Sequence, residues 1–180
     1  MYYVTTYESP IGELTLACDG QYLTGVWLAG QKYYGSTLEA DSVKKENAIL
    51  IAAKDWLDRY FAKEQPAISE LPLKPAGGAF RQQVWELLQE IPYGEVVTYG
   101  SIAKKMAQKM GRDSMSSQAV GGAVGHNPIA IIIPCHRVVG SSGSLTGYAG
   151  GLDAKVSLLT LEGVSLDGLY RPEDKSKRIG

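Results

Sequence analysis

Cysteine and histidine are scarce in this sequence. Each occurs twice in 180 residues, and no Cys or His pair has the short spacing of a zinc site, so the sequence predicts no metal centre. Two cysteines in a chain of this length also do not make a disulfide framework. We therefore expect a reducing compartment in which the thiols stay free.

Long hydrophobic runs are missing as well. No stretch of 18 or more apolar residues occurs, which argues against a membrane span or a membrane partner. The opening segment MYYVTTYESP lacks the basic and then apolar pattern of a secretory signal, so we expect a cytoplasmic protein. A hydrophobic content of 44% and a charged content of 21% are typical of a globular chain.

The sequence has no excess of positive charge either. The formal net charge is −1, which argues weakly against nucleic-acid binding. Its distribution is uneven, since residues 1–77 carry 7 basic and 10 acidic side chains whereas residues 78–163 carry 7 and 6. Three lysines and Arg112 lie close together within 104–112. They fit either a local DNA contact or a solvated helix face.

A proline-rich segment divides the chain. Before it, β-branched and aromatic residues predict strands over 2–8, 13–18 and 22–28, and apolar spacing predicts an amphipathic helix over 42–63. Residues 65–78 contain three prolines and two glycines without a helical period. We interpret this segment as a linker between two structural units.

The second half has mainly helical periodicity. Helices are predicted over 79–90, from Gly100 or Ser101 onward, over 117–125 and over 152–161, with a short extended piece over 95–100. This order suggests a helix-turn-helix or winged arrangement. The predicted class is α+β, with domain boundaries 1–74, 75–165 and a C-terminal tail 166–180.

The helix predicted over 117–125 is rich in small residues. It contains Gly121, Gly122 and Gly125, and each glycine costs a helix about 1 kcal/mol relative to alanine. Such a cost suggests close approach, either to another helix or to the minor groove of DNA, which is about 6 Å wide. The residues by themselves favour helix packing.

The stretch IIIPCHRVVG holds the strongest chemical signal. Cys135 follows an apolar run that ends in Pro134 and that predicts a strand, and His136 comes directly after it. A thiol becomes a good nucleophile when a base or a cation activates it. Adjacent residues do not face each other in a helix or strand, so cooperation requires a sharp turn or a bridging water. The alternative is a structural cysteine beside a surface histidine.

Residues 119–152, AVGGAVGHNPIAIIIPCHRVVGSSGSLTGYAGGL, resemble the O6-alkylguanine-DNA alkyltransferases. The likeness covers residues 78–163, and its core is the PCHRV sequence that carries the acceptor cysteine of the family. The N-terminal half matches only in size and in its order of strands and helix. The resemblance implies a small RNase H-like N-terminal domain, followed by a mainly helical, winged helix-turn-helix-like DNA-binding domain that carries the active site.

The resemblance also implies an activity. The partner would be double-stranded DNA containing O6-alkylguanine, which the protein flips out of the duplex before it transfers the alkyl group irreversibly to itself. It would act once, as a monomer, without cofactor or metal. In these roles Cys135 is the acceptor, His136 a base acting through a water, and Glu162 its orienting acid. Tyr99 would assist rotation and donate to the leaving guanine, and Asn127 would brace the turn before the active site.

Two further groups of residues follow from the resemblance. The implied substrate pocket is formed by Val124, Val138, Tyr148, Ala149 and Lys155. The implied DNA contacts are Thr98, Tyr99, Arg112, Ser117, Gln118, Ala119, Gly122 and Arg137.

The sequence departs from the family pattern at two positions. Gln118 stands where many members carry an arginine finger, and Ala149 stands where some carry a serine that bonds O6. Two other functions stay open at this point. One is a non-catalytic protein that binds alkylated lesions on the same scaffold, against which the intact Cys135 argues. The other is a cysteine hydrolase, for which no oxyanion-hole pattern is readable.

Overall fold

The structure is a computed structural model. It describes residues 1–38 and 41–171, together with the backbone of residues 178–179. Within these residues, no helix has the length and apolar character that crossing a bilayer requires.

The chain forms two compact units. The first contains Met1–Gly77 and Pro128–Ile133, and the second contains Gly78–Asn127 and the described residues from Pro134 onward. A short segment from the second half of the sequence therefore folds within the first unit.

The first unit is built on a four-stranded sheet with the order β3-β2-β1-β4. Its strands are β1 (Tyr3–Ser9), β2 (Gly12–Cys18), β3 (Leu23–Leu28) and β4 (Val43–Lys44). The first three strands are antiparallel, and β4 runs parallel to β1. Every residue of β3 is buried, which is expected of a strand covered on both faces. Segment 128–133 lies beside this strand, through a bridge between Val26 and Ile129.

Helix α1 (Ala48–Phe61) packs on this sheet. The predicted helix 42–63 was therefore wrong at its start. Asn47 is the N-cap, and its side chain accepts a hydrogen bond from the Leu50 N–H. Asparagine competes with the helical backbone in this way, and so it favours the first position of a helix over an interior one.

The second unit is mainly helical. Its helices are α2 (Ala79–Gln89), α3 (Tyr99–Lys109), α4 (Ser117–Gly125) and α5 (Leu152–Leu161). Its strands are β5 (Val97–Thr98), β6 (Val138–Val139), β7 (Leu169–Tyr170) and β8 (Arg178–Ile179). Helices α2, α3 and α4 pack on one another. The buried Trp85 fixes α2 against α4, because its Nε1 donates to the Ala123 carbonyl over 2.8 Å.

Helix α3 begins one or two residues earlier than predicted. The Thr98 hydroxyl accepts from the Ser101 N–H and so caps the helix, which starts at Tyr99. Threonine is a frequent N-cap because its side chain satisfies one of the free N–H groups of the first turn. The cap places the Tyr99 ring at the beginning of α3.

The strand predicted before Cys135 is not present. After the bridge at Ile129 the chain turns, and Ile131 adopts a positive φ of 71°. The Ile132 N–H donates to the Ala130 carbonyl, and the Ile133 N–H to the Ile129 carbonyl. A β-branched residue at positive φ is rare, and apolar periodicity does not reveal it.

The predicted C-terminal tail contains regular structure. Leu169–Tyr170 form β7, which pairs antiparallel with β8. Residues 172–177 and 180 of the tail lie outside the described residues.

Candidate active site

A turn brings Cys135 and His136 into the same buried region. Residues Cys135–Arg137 form a 3₁₀-helix directly after Pro134, and all three side chains are buried. The Arg137 N–H closes the turn by donating to the Pro134 carbonyl over 3.0 Å. Strand β6 follows and pairs in parallel with β5. The structure thus supplies the sharp turn that cooperation between adjacent residues requires.

Burial keeps the Cys135 thiol protonated in the free protein. Removal from solvent raises the pKa of Cys135, and this effect outweighs a hydrogen bond from Asn127 and the nearby charge of Lys155, both of which lower it. A low dielectric disfavours the thiolate even beside a cation. Cys135 therefore needs a base to remove its proton when it reacts.

His136 has the properties of that base. Its Nε2 lies 2.6 Å from Glu162 Oε2, and both side chains are buried. Burial lowers the pKa of His136, so the ring is neutral near pH 7. The pKa of Glu162 is held well below its usual range by His136 and Arg137, although burial alone would raise it. The ionised carboxylate has no proton to give, so Nε2 must donate and the lone pair lies on Nδ1.

The Nδ1 atom of His136 is available for proton transfer. It is buried and has no hydrogen-bond partner among the residues that the structure describes. Buried polar atoms are usually paired, and an unpaired one in a reactive centre calls for a functional explanation. A ring nitrogen with a free lone pair, one residue from the thiol, fits a base that acts through a water.

The Glu162 carboxylate accepts four hydrogen bonds. Its Oε1 accepts from the Arg137 Nε over 2.8 Å and from the Gly94 N–H over 3.1 Å. Its Oε2 accepts from His136 and from an Arg137 terminal nitrogen at 3.1 Å. Four donors around one buried carboxylate fix its orientation and hence the orientation of the His136 ring.

The prediction that Arg137 contacts DNA was wrong. The residue is only 6% exposed, and its guanidinium is bound to Glu162 and to the Ile91 carbonyl, the latter at 2.7 Å. A planar fork of donors matches a carboxylate bidentately, and such a buried pair is not free to bind phosphate. Arg137 holds Glu162 in place.

Lys155 connects the active-site turn to the loop that follows β6. Its buried ammonium donates to the Val138 carbonyl over 2.6 Å and to the Thr146 carbonyl over 3.1 Å. Burial lowers the pKa of Lys155 to about 8, and a negative charge on Cys135, once its thiol loses the proton, opposes that shift. The charged amine and the thiolate therefore stabilise each other when Cys135 ionises.

The Tyr99 side chain contacts the same loop, which we call the pocket loop (residues 140–148). Its hydroxyl donates to the Thr146 carbonyl over 2.8 Å. A side chain at Gly147, whose φ is +91°, would overlap this hydroxyl, so only glycine allows the approach. Burial raises the pKa of Tyr99, and the hydroxyl remains a donor.

Tyr148 lies next to the base. Its buried ring meets the His136 ring edge-on, with 6.4 Å between centroids and an interplanar angle of 82°, an arrangement that favours contact between aromatic rings. Its hydroxyl is buried without a partner in the described part of the chain. Ala149, which follows it, is half-buried.

A cavity of about 550 Å³ opens beside this loop. Its walls are Tyr99, Gly100, Ser117, Gln118, Gly121, Gly122, Gly140, Ser141, Thr146 and Gly147. They come from the start of α3, one face of α4 and the two ends of the pocket loop. None of them carries a charge, and half are glycine.

Packing does not explain the glycine at 122. Val120, Ala123 and Val124 form the buried face of α4. A β-carbon on Gly122 would have no neighbour within 4 Å, and one on Gly121 would make only ordinary contact with Tyr99. The residues alone favoured helix packing, and the structure leaves Gly122 on an open face.

The remaining predicted site residues fall into an exposed group and a buried group. Ser117, Gln118, Ala119, Gly122 and Arg112 are all exposed on the second unit. Val124 and Val138, which the resemblance placed in the substrate pocket, are 2% and 0% exposed core residues and do not line the cavity.

The backbone carbonyls that take part in the site could not be identified from the sequence. The Thr146 carbonyl accepts from both Tyr99 and Lys155, and the Ile91 carbonyl accepts from Arg137. Every residue has a carbonyl, so no residue type marks these positions. In addition, the described residues contain no group of three His, Cys, Asp or Glu side chains placed to hold a metal ion.

Comparison with known proteins identifies the family. The family model of the 6-O-methylguanine DNA methyltransferase ribonuclease-like domain matches residues 1–75, and that of the DNA-binding domain matches residues 79–164. A methylated-DNA–protein-cysteine methyltransferase of Methanosarcina acetivorans is 46% identical over 165 residues, covering 91% of this chain and 99% of the relative. One of Haemophilus influenzae with the same name is 43% identical over 164 residues, covering 89% and 86%.

A solved structure resembles this chain in its fold as well as in its sequence. The crystal structure of Mycobacterium tuberculosis OGT in complex with DNA is 43% identical and superposes with a TM-score of 0.76, covering 89% of this chain and 91% of that one.

Fold and site together define a class: two-domain α+β proteins in which a ribonuclease-like domain precedes a DNA-binding domain that carries a buried cysteine. Within that class, the chain belongs to the 6-O-methylguanine DNA methyltransferase family. The α+β class and the family resemblance read from the sequence are both confirmed.

Proposed function

We propose that this protein repairs double-stranded DNA by direct reversal. It flips O6-alkylguanine out of the duplex and transfers the alkyl group to its own Cys135 in a single turnover. The observation that carries this function is the buried Cys135 thiol, next in the chain to a neutral histidine whose Nε2 is held by an ionised carboxylate. The names of the two relatives and the DNA complex of the Mycobacterium tuberculosis protein support the same activity.

The chemistry follows from the charges of the site. The Nδ1 of His136 takes the thiol proton through a water, and Glu162 stabilises the resulting imidazolium. The thiolate, stabilised by Asn127 and Lys155, attacks the alkyl carbon. A sulfur–carbon bond forms while the carbon–O6 bond breaks, and the electron pair goes to the guanine oxygen. The Tyr99 hydroxyl exchanges its hydrogen bond to the Thr146 carbonyl for a hydrogen bond that it donates to the departing guanine.

The transfer is irreversible because a thioether has no leaving group that water displaces readily. The protein therefore acts stoichiometrically, and the displacement itself uses neither cofactor nor metal. We further propose that it acts as a monomer in the cytoplasm, with alkylated duplex DNA as its partner.

The intact mass of the protein tests the proposal. After incubation with a duplex oligonucleotide containing one O6-methylguanine, the mass should rise by one methylene unit, saturate at one per chain, and map to the Cys135 peptide. An unmodified duplex is the control. No mass gain with DNA still bound would indicate a lesion-binding protein instead, and no gain without binding would leave only the fold.

Gln118 offers a test of the DNA-facing surface. The residue is exposed and lines the cavity, at the position where many relatives carry an arginine. Gln118→Arg adds a cation that can contact phosphate, so affinity for duplex DNA should rise. The logarithm of the binding constant should also depend more steeply on salt, by about 0.9 in slope for one added contact. Titration by fluorescence anisotropy at several salt concentrations measures both.

A matched control separates position from net charge. Gln21 is exposed in the first unit, so Gln21→Arg adds the same charge to the unit that does not carry the proposed DNA contacts. Equal effects of the two substitutions, or no effect at position 118, would exclude Gln118 from the DNA contact.

Gly122 tests whether α4 enters the minor groove. Because a β-carbon there has open space, Gly122→Ala should raise the stability of the fold by roughly 1 kcal/mol through helix propensity. Gly122→Leu should leave the protein folded but weaken DNA binding by about tenfold or more, since the groove is only about 6 Å wide. Thermal unfolding and DNA titration of both variants provide the comparison. Normal DNA binding by a folded leucine variant would place the groove contact elsewhere.

A further inference from the structure

The segment after α5 is bonded to the middle of the pocket loop. We call this segment, residues 165–171, the C-terminal clamp. The Leu145 N–H donates to the Tyr170 carbonyl over 2.9 Å, and the Tyr170 N–H donates to the Gly143 carbonyl over 3.0 Å. The two bonds enclose a parallel bridge between Ser144 and Tyr170. The clamp and the pocket loop are therefore paired side by side over a short stretch, as two strands are.

Side chains reinforce this pairing. The hydroxyls of Ser142 and Tyr170 are hydrogen-bonded at 2.8 Å. Leu145 of the loop and Leu169 of the clamp are both buried in one apolar cluster, which also contains Leu159 of α5. Polar and apolar contacts thus join the loop and the clamp on both sides of the paired backbone.

The two backbones approach as closely as glycine permits. Gly143 has a φ of +94°, and a β-carbon on it would overlap the carbonyl oxygen of Gly168. Gly168 itself has a φ of +81°. A glycine that faces another backbone at such close range marks a contact that a side chain would break.

The clamp acts where the cavity depends on the loop. Gly140 and Ser141 line the cavity from one end of the loop, and Thr146 and Gly147 line it from the other. The clamp contacts the residues between these two pairs, 142–145. The clamp therefore contacts the stretch of the loop that joins the two walls of the cavity.

The match to the DNA-binding family model ends at residue 164, so it does not include the clamp. We propose that the C-terminal clamp positions the pocket loop for alkyl transfer, with Tyr170 as its central positioning residue. This inference rests on the proposed function. It predicts that loss of the clamp slows the transfer step while DNA binding is retained, because α3 and α4 do not contribute to the clamp.

Two truncations test the proposal. One chain ends after Val164 and lacks the clamp, and the other ends after Arg171 and retains it. Single-turnover transfer from O6-methylguanine DNA should be slower by about tenfold to a hundredfold in the shorter chain than in the longer one, as expected when reacting groups are misplaced by about 1 Å. The dissociation constant for DNA should agree within about threefold, which is less than 1 kcal/mol.

A second pair of variants keeps every residue of the clamp. Gly143→Ala pushes the Gly168 carbonyl away, whereas Gly30→Ala, at a φ of +78° with no neighbour within 4 Å, adds a similar backbone strain in the first unit. Only Gly143→Ala should slow transfer and accelerate hydrogen exchange of the Leu145 amide. Faster exchange without a slower transfer would overturn the proposal, as would equal transfer rates in the two truncations. If the full chain takes up no methyl group, the proposed function fails as well, and the intact-mass experiment identifies that case.

Discussion

Replacing Cys135 by alanine will abolish alkyl uptake while leaving DNA binding in place. The methyl group of alanine has no lone pair and cannot attack carbon, so no slower route through this residue remains. The backbone of the Cys135–Arg137 turn is held by the Pro134 carbonyl and by β6 rather than by the thiol. We therefore expect a folded protein that binds alkylated DNA with an affinity within about threefold, or less than 1 kcal/mol, of the original.

The chain provides its own control for this experiment. Cys18 is also buried, but it lies in β2 of the first unit, where its sulfur accepts from the Asn47 side chain at 2.9 Å. Cys18→Ala should keep full uptake of one methyl group per chain. Uptake that persists in Cys135→Ala, or disappears in Cys18→Ala, would show that Cys135 is not the acceptor.

Glu162→Gln will have the second largest effect, because it will lower both the rate of alkyl transfer and the free energy of unfolding. The carboxylate accepts four hydrogen bonds from His136, Arg137 and Gly94. A glutamine presents one oxygen and one NH₂ group, so one set of donors would face another donor. Arg137 would also keep a buried charge without its partner. Breaking a buried pair in this way costs about 3–5 kcal/mol of unfolding free energy.

The rate should fall because the base loses its orientation and its counter-charge. Loss of the partner that orients a metal-bound histidine costs about tenfold to a hundredfold, and we expect a similar loss for the orientation of His136. Stopped-flow single-turnover measurements at several pH values will give the rate, and urea titration will give the stability. An unchanged rate in a folded Glu162→Gln protein would remove Glu162 from the proposed proton transfer.

The pH dependence of stability gives an independent check. The pKa of Glu162 is lower in the folded than in the unfolded state, so its stabilisation is complete above the ordinary carboxyl pKa of about 4.3 and declines as the pH falls below it. The Glu162→Gln protein should lack this decline. Glu70→Gln is the matched control, because Glu70 pairs with Arg59 on the surface of the first unit, where solvent screens the interaction.

The residues with distinctive chemistry could be read from the sequence. Cys135 and His136 were found from their pattern, and Glu162 followed from the resemblance. The structure brings His136 and Glu162 into contact at 2.6 Å. The role of Arg137 was not readable. The resemblance assigned Arg137 to the DNA, and only tertiary contacts show that its fork is directed at a buried carboxylate.

Local conformation was harder to predict than chemistry. The apolar run before Cys135 predicts a strand by composition, yet Ile131 turns through a positive φ. Apolar periodicity reports burial, and a buried turn carries the same residues as a buried strand. Similarly, residues 42–47 have too little pattern to separate a short strand and an N-cap from the first turn of a helix.

The placement of residues 128–133 in the first unit has a consequence for how this protein can be divided into fragments. A domain made from one continuous stretch can be moved between genes with a single cut, but here the chain returns to the first unit before it reaches the nucleophile. A fragment beginning at Gly78 would carry residues 128–133 without Val26, the bridge partner of Ile129, and would expose the buried side chains of Ile129, Ile131 and Ile133 to water. Mutations in β3 can therefore disturb the segment that leads to Cys135.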